Sequence, residues 1–164
     1  LGVEKMTTLS ELIKEFQSLK LQAKLDSPNR ATLVVDKDKL REIASLLKSK
    51  GFDHVISVTG MDYQEQSKLE VVYHFSSYTV EELKDAIVAL RSSTSYEDPN
   101  FPSLYSIFES VWTGERETFE TLGIYFRDHP DMRRMFLPED FEGVYPLRKS
   151  FKIKLEGVFI DKPI

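Results

Sequence analysis

The chain has 164 residues, no cysteine, and 27 acidic against 22 basic side chains, giving a formal charge of -5 with its three histidines neutral. Without thiols there is no disulfide framework, thiolate zinc site, iron-sulfur cluster, cysteine nucleophile or terminal-cysteine nickel ligand. The acidic balance argues against nonspecific nucleic-acid binding, no run approaches the roughly 18–20 apolar residues of a membrane-spanning helix, and a hydrophobic content of 41% supplies a core.

In chain order, Thr8-Leu9-Ser10-Glu11 has the form of a capping box, and Leu9, Leu12, Ile13, Phe16 and Leu19 follow on one helical face. This spacing predicts a helix over about 8–20. A polar break containing Pro28 and Asn29 leads to a β-branched run, Ala31 to Val35, which reads as a strand. Asp36 is placed to cap a second helix, whose Leu40, Ile43, Ala44 and Leu47 share a face and which Gly51 stops. His54 to Thr59 and Leu69 to Phe75 predict an antiparallel hairpin around a polar turn, with Leu69, Val71, Tyr73 and Phe75 on one side. Leu83, Ile87 and Leu90 fit a helix, whereas Ala86 to Ser95 fits a strand equally well. Leu104, Ile107, Phe108, Val111 and Trp112 predict a helix, and Glu115 to Leu122 a further short one closed by Gly123.

Beyond Phe126 the character changes. Pro130, Pro138 and Pro146 punctuate a stretch dense in charge and large apolar groups, and only Phe151, Ile153 and Leu155 alternate as in a strand. A segment so poor in regular structure and so rich in apolar side chains must pack on its own domain or on a partner. The division is therefore a domain over 1–126 and an extended segment over 127–164.

Chemistry has few places to sit. His54 and His74 lie in predicted strands without partners at ligand spacing, and read as ordinary strand residues. In Asp128-His129-Pro130-Asp131 the proline suits the first turn of a helix, which Asp128 or His129 can cap and Asp131 complement. Glu115 and Glu117 diverge by about 200° around a helix, so they cannot flank one substrate bond, while Arg116 and Glu120, four apart, are placed to pair. Glu115, Arg116 and Glu117 read either as a solvated, charge-paired helix face or as charges that each fix a different neighbouring element, as at an interface; the few apolar positions of the short helix favour the second. Arg133, Arg134, Arg148 and Lys149 sit among Asp131, Glu139, Asp140 and Glu142, a mixed-sign surface suited to docking on protein. No GxGxxG, Walker, GxSxG or HExxH pattern occurs.

The runs ERETFETLGIYF (115–126), HPDMRRMFLPEDFEG (129–143) and YPLRKSF (145–151) resemble, in order and spacing, the signature of the C-subunit family of respiratory complex I (NADH dehydrogenase), which also occurs in membrane-bound energy-converting hydrogenases. Glu120 stands where that family usually has aspartate, Asp128 where glycine is common and Phe141 where tryptophan is common. One extra residue separates Gly143 from Pro146. Together with the short chain rich in Lys and Glu, these features look more like an archaeal hydrogenase-type or sulfur-reducing member.

The resemblance implies an α+β domain, a small antiparallel or mixed sheet flanked by helices, with a strand at 86–95 and an irregular C-terminal extension docking on partner subunits. It implies a noncatalytic peripheral-arm subunit on the cytoplasmic side of the cell membrane, without a membrane span of its own. Such a subunit holds no cofactor. Iron-sulfur clusters and any nickel-iron site belong to its partners, a chain like the hydrogenase large subunit and an iron-sulfur small subunit, and electron transfer in the complex is coupled to ion pumping. By this likeness Glu115, Arg116, Glu117, His129, Asp131, Arg133, Arg134, Pro146, Leu147, Arg148 and Lys149 are interface and folding residues. The competing readings are a small autonomous enzyme using His129 and nearby carboxylates, and a free-standing adaptor.

Overall fold

The Thr8 hydroxyl accepts the Glu11 N–H, and the Glu11 carboxylate accepts the Thr8 N–H at 3.0 Å, so the predicted capping box starts α1 (Leu9–Ser18). The computed structural model describes residues 8–152. Leu9, Leu12, Ile13 and Phe16 turn into the core.

The polar break that follows contains a strand the sequence pattern does not announce. β1 (Gln22–Ser27) pairs antiparallel with β2 (Arg30–Val34) across Pro28 and Asn29. It lies at the edge of its sheet, and its side chains stay wholly or partly exposed. It is held by its backbone ladder and carries no apolar alternation to read. After β2 the Asp36 side chain makes no capping hydrogen bond, because a 3-10 turn at Lys37–Lys39 intervenes before α2 (Leu40–Ser49). Gly51 has φ +99°, and a side chain there would meet Val80 at 2.7 Å.

β3 (His54–Tyr63) and β4 (Lys68–Ser76) form the expected antiparallel hairpin, longer than predicted because Gly60, Met61 and Asp62 also pair across it. Leu69, Val71, Tyr73 and Phe75 are fully buried. The ambiguous segment is a strand, β5 (Ile87–Ser95), antiparallel to β4 and parallel to β2. The sheet is therefore mixed, in the order β1-β2-β5-β4-β3.

A short strand β6 (Asn100–Pro102) leads into 104–111, where the predicted helix is absent. Phe108 is extended, with φ -133° and ψ 102°, and only a 3-10 turn at Glu109–Val111 precedes α3 (Trp112–Leu122). Leu104, Phe108 and Val111 are buried as their spacing suggests. One turn forms, with the Ile107 and Phe108 N–H groups both on the Leu104 carbonyl at 2.9 Å, before the chain extends at Phe108; the Leu104 N–H itself is taken by the Glu115 carboxylate. α3 ends at Gly123 in the left-handed region, as predicted, and β7 (Tyr125–Arg127) pairs parallel with β6.

α3 packs on β3 closely enough that a side chain at Gly60 would meet Leu122 at 2.4 Å and Thr118 at 2.7 Å. One core joins α1, α2, the β6–β7 pair and the inner sheet residues Leu33, Leu90 and Tyr73. Of the alternating run in the C-terminal stretch, Ile153 and Leu155 lie outside the described residues.

Candidate docking site

α3 carries the residues that organise its surroundings, each pointing a different way. Glu115 is completely buried. Its Oε1 accepts the Tyr73 hydroxyl and the Leu104 N–H, both at 2.9 Å, and its Oε2 accepts the Ser103 hydroxyl at 2.6 Å. One carboxyl thus ties β4, the turn after β6 and α3 together. Burial pushes its pKa up to about 7, although the three donors and nearby Arg41 pull the other way. Glu117, two residues on, is exposed.

Arg116 does not pair with Glu120. Its Nε donates to the Arg133 carbonyl at 2.9 Å and its second terminal nitrogen to the Arg134 carbonyl at 3.3 Å, while the guanidinium lies 5.8 Å from the Trp112 ring centre and 3.7 Å from the Asp131 carboxylate. The planar fork spans two successive carbonyls, while the Glu120 carboxylate is occupied by backbone amides. Glu120 faces elsewhere and is 2% exposed. It accepts the backbone N–H groups of Met135 at 2.9 Å, Phe136 at 3.2 and 3.1 Å and Leu137 at 3.2 Å. The sequence pattern gives no direct sign of this role. Its available signal is a carboxylate at a position where the resembled family also keeps one.

No helix begins at Pro130. Asp128 has φ +65°, and the carbonyls of Arg133 and Arg134 accept from Arg116 rather than from a helical ladder. His129 is buried beside Tyr105 and Trp112, with ring centres 5.7 and 5.0 Å away. Its Nδ1 accepts the Asp131 N–H at 3.1 Å, which leaves Nε2–H to donate to the Trp112 carbonyl at 3.3 Å. Burial lowers its pKa most, and Arg116 adds to that; the bond to the Trp112 carbonyl and the Asp131 charge oppose it. Two 2.8 Å hydrogen bonds from Arg133 hold the Asp131 carboxyl well below the usual carboxylate range. Arg134 donates to the Pro138 carbonyl at 3.5 Å.

The last block returns to α3 and the sheet. Tyr145 covers Gly123, Arg148 Nε donates to the Leu122 carbonyl, and the Arg148 guanidinium stands 4.8 and 5.4 Å from the Tyr96 and Tyr145 ring centres. Such a cation suits the carbonyl end of a helix. The Leu147 N–H bonds the Thr121 carbonyl at 3.1 Å, leaving its side chain exposed, and the Lys149 N–H bonds Asp62 at 2.7 Å; Pro146 just before Leu147 is half-buried. The structure thus brings Arg116, His129, Asp131, Arg133 and Arg134 into one network and ties Leu147, Arg148 and Lys149 to α3 and β3 in a second, with Pro146 beside them in the chain. Glu115 belongs to the core and Glu117 to neither.

The model of the family described as the respiratory-chain NADH dehydrogenase 30 Kd subunit matches residues 33–156, which include every element that builds these networks. The chain belongs to this family. Among curated members, it is 36% identical over 147 residues to the C subunit of the F(420)H(2) dehydrogenase of Methanosarcina mazei, covering 89% of this chain and 90% of that one. It is 34% identical over 150 residues to the C subunit of the NADH-quinone oxidoreductase of Moorella thermoacetica, covering 91% and 96%. Its fold matches a chain of the membrane-bound sulfane sulfur reductase, an archaeal respiratory membrane complex, with TM-score 0.82 and 21% identity over 94% of both chains. It also matches a trypsin-resistant fragment of Nqo5, with TM-score 0.67 and 23% identity over 76% of this chain and 99% of the fragment. The expected α+β fold with a mixed sheet is the fold of this family. Among the described residues no helix is long and apolar enough to cross a membrane.

Proposed function

We propose that the chain is a noncatalytic subunit of the peripheral arm of a membrane-bound, complex I-like oxidoreductase, of hydrogenase, sulfur-reducing or related type, held on the cytoplasmic side of the membrane. There it docks on a chain like the hydrogenase large subunit and on the adjacent iron-sulfur small subunit, and helps to hold them in register for electron transfer coupled to ion pumping. The reading is carried by the family match over 33–156, whose curated relatives are named as subunits of oxidoreductases.

The local chemistry supports it against the autonomous-enzyme reading. A general base needs a nitrogen or carboxylate free to meet a substrate proton. Both ring nitrogens of His129 are engaged, and the Glu115 carboxyl is closed over by three donors in the core. Neither is positioned to exchange a proton with a bound molecule.

The test is isolation of the tagged chain from its native membranes in mild detergent. Copurifying large and iron-sulfur subunits, with redox turnover in the assembly and none in the purified chain, is the expected result. Turnover or a stoichiometric metal or flavin in the chain alone would defeat the proposal.

A further inference from the structure

Phe136 is 68% exposed, yet the turn that carries it is anchored at three consecutive amides by the buried Glu120 carboxylate. A large apolar ring carried on an anchored backbone costs little backbone ordering when it enters a pocket, which suits an interface anchor. A few residues after it, Glu139, Asp140 and Glu142 are exposed and make no side-chain hydrogen bond or ion pair among the described residues. The carboxylates follow Phe136 by three, four and six residues on the same loop, which Arg134 braces by donating to the Pro138 carbonyl at 3.5 Å just before the 3-10 turn at Glu139–Phe141. Nearby positive charge is largely engaged: Asp131 pairs with Arg133 and lies 3.7 Å from Arg116.

We infer that Phe136 is the anchor of a docking surface whose occupant is a neighbouring subunit of the same complex, offering an apolar pocket rimmed by lysine or arginine. Glu120 is its positioning residue. This inference rests on the docking-subunit reading above and names the chemistry of one partner face. A second copy of this chain is a poor occupant, since a two-fold contact places the same three carboxylates against each other.

The test compares wild type, Phe136→Ala and a charge variant carrying Glu139→Gln, Asp140→Asn and Glu142→Gln, each tagged and isolated with its complex at low and high salt. Melting temperature and oligomeric state are measured on each purified chain. Phe136→Ala is expected to leave the melting temperature of the chain unchanged and lower the retained neighbouring subunits about tenfold or more. The charge variant is expected to lower retention at low salt and remove most of its salt dependence. Full retention by Phe136→Ala overturns the inference. So does a fall in its melting temperature, which means the ring packs on its own chain, residues 153–164 included. A wild-type dimer dispersed by Phe136→Ala overturns it in favour of self-association. If wild type itself retains no neighbour, the subunit reading fails and takes the inference with it; retention by wild type with an indifferent Phe136→Ala defeats the anchor alone.

Discussion

The Arg116 guanidinium donates to the Arg133 carbonyl across 2.9 Å, joining α3 to the backbone of the segment after Pro130. The neighbouring nitrogen does the same for Arg134, so two carbonyls outside any helix or strand depend on one side chain. Arg116→Lys keeps the charge and loses the fork. It is expected to destabilise the chain by about 1–3 kcal/mol, the usual effect of leaving part-buried polar groups unpaired. Thermal unfolding of the purified variant measures this, and amide exchange at Arg134 to Leu137 should quicken with it. Unchanged melting and exchange would show that the bonds to the carbonyls carry no weight.

Glu115 gives the stability a pH dependence of stated sign. Its pKa rises from 4.5 toward about 7 on folding, so the folded state favours the protonated form. Its contribution is full below pH 4.5 and is lost as pH rises through about 7, with an upper bound of about 3 kcal/mol. Glu115→Gln, a permanently neutral near-isostere, should flatten this part of the profile between about pH 5 and 8. Parallel melting curves for both proteins across that window would sink the assignment.

His129 acts in the opposite sense. Its pKa is lowered on folding, so its contribution is present above the unfolded value near 6.5 and is lost as pH falls through the lower folded value. The protonated ring can no longer accept the Asp131 N–H. Nitrogen NMR of the imidazole should find the Nε2–H tautomer at neutral pH and a midpoint below 6.5. A midpoint at or above that value refutes the arrangement.

Gly60→Ala tests the approach of α3 to β3. The new methyl would stand 2.4 Å from Leu122 and 2.7 Å from Thr118, both at the helix whose other residues hold the C-terminal segment. Crowding of this kind typically costs about 1–3 kcal/mol. Denaturant unfolding is expected to show a loss in that range, and a variant as stable as wild type would mean that α3 shifts freely.

The elements that were readable from the chain are those in which a local rule and tertiary packing agree. The Thr8 capping box, the inward stripe of α2, the alternation of β4 and the Gly123 stop each follow from bonds or φ angles within a few residues. The three charged blocks were likewise readable, because their order and spacing are rare enough to mark a family. What stayed hidden depended on groups distant in sequence. β1 is a strand because β2 supplies its partners, and the 104–111 stretch breaks after one turn at the extended Phe108, whose ring packs 5.1 Å from that of Phe75 in β4. The partners of Arg116 and Glu120 lie 15 to 18 residues away along the chain and are backbone groups, which carry no residue-specific mark. Every residue has an N–H and a C=O, proline's missing N–H aside, so no pattern of side chains can announce which of them a buried charge will choose. Only the folded path of the chain brings the chosen ones within reach.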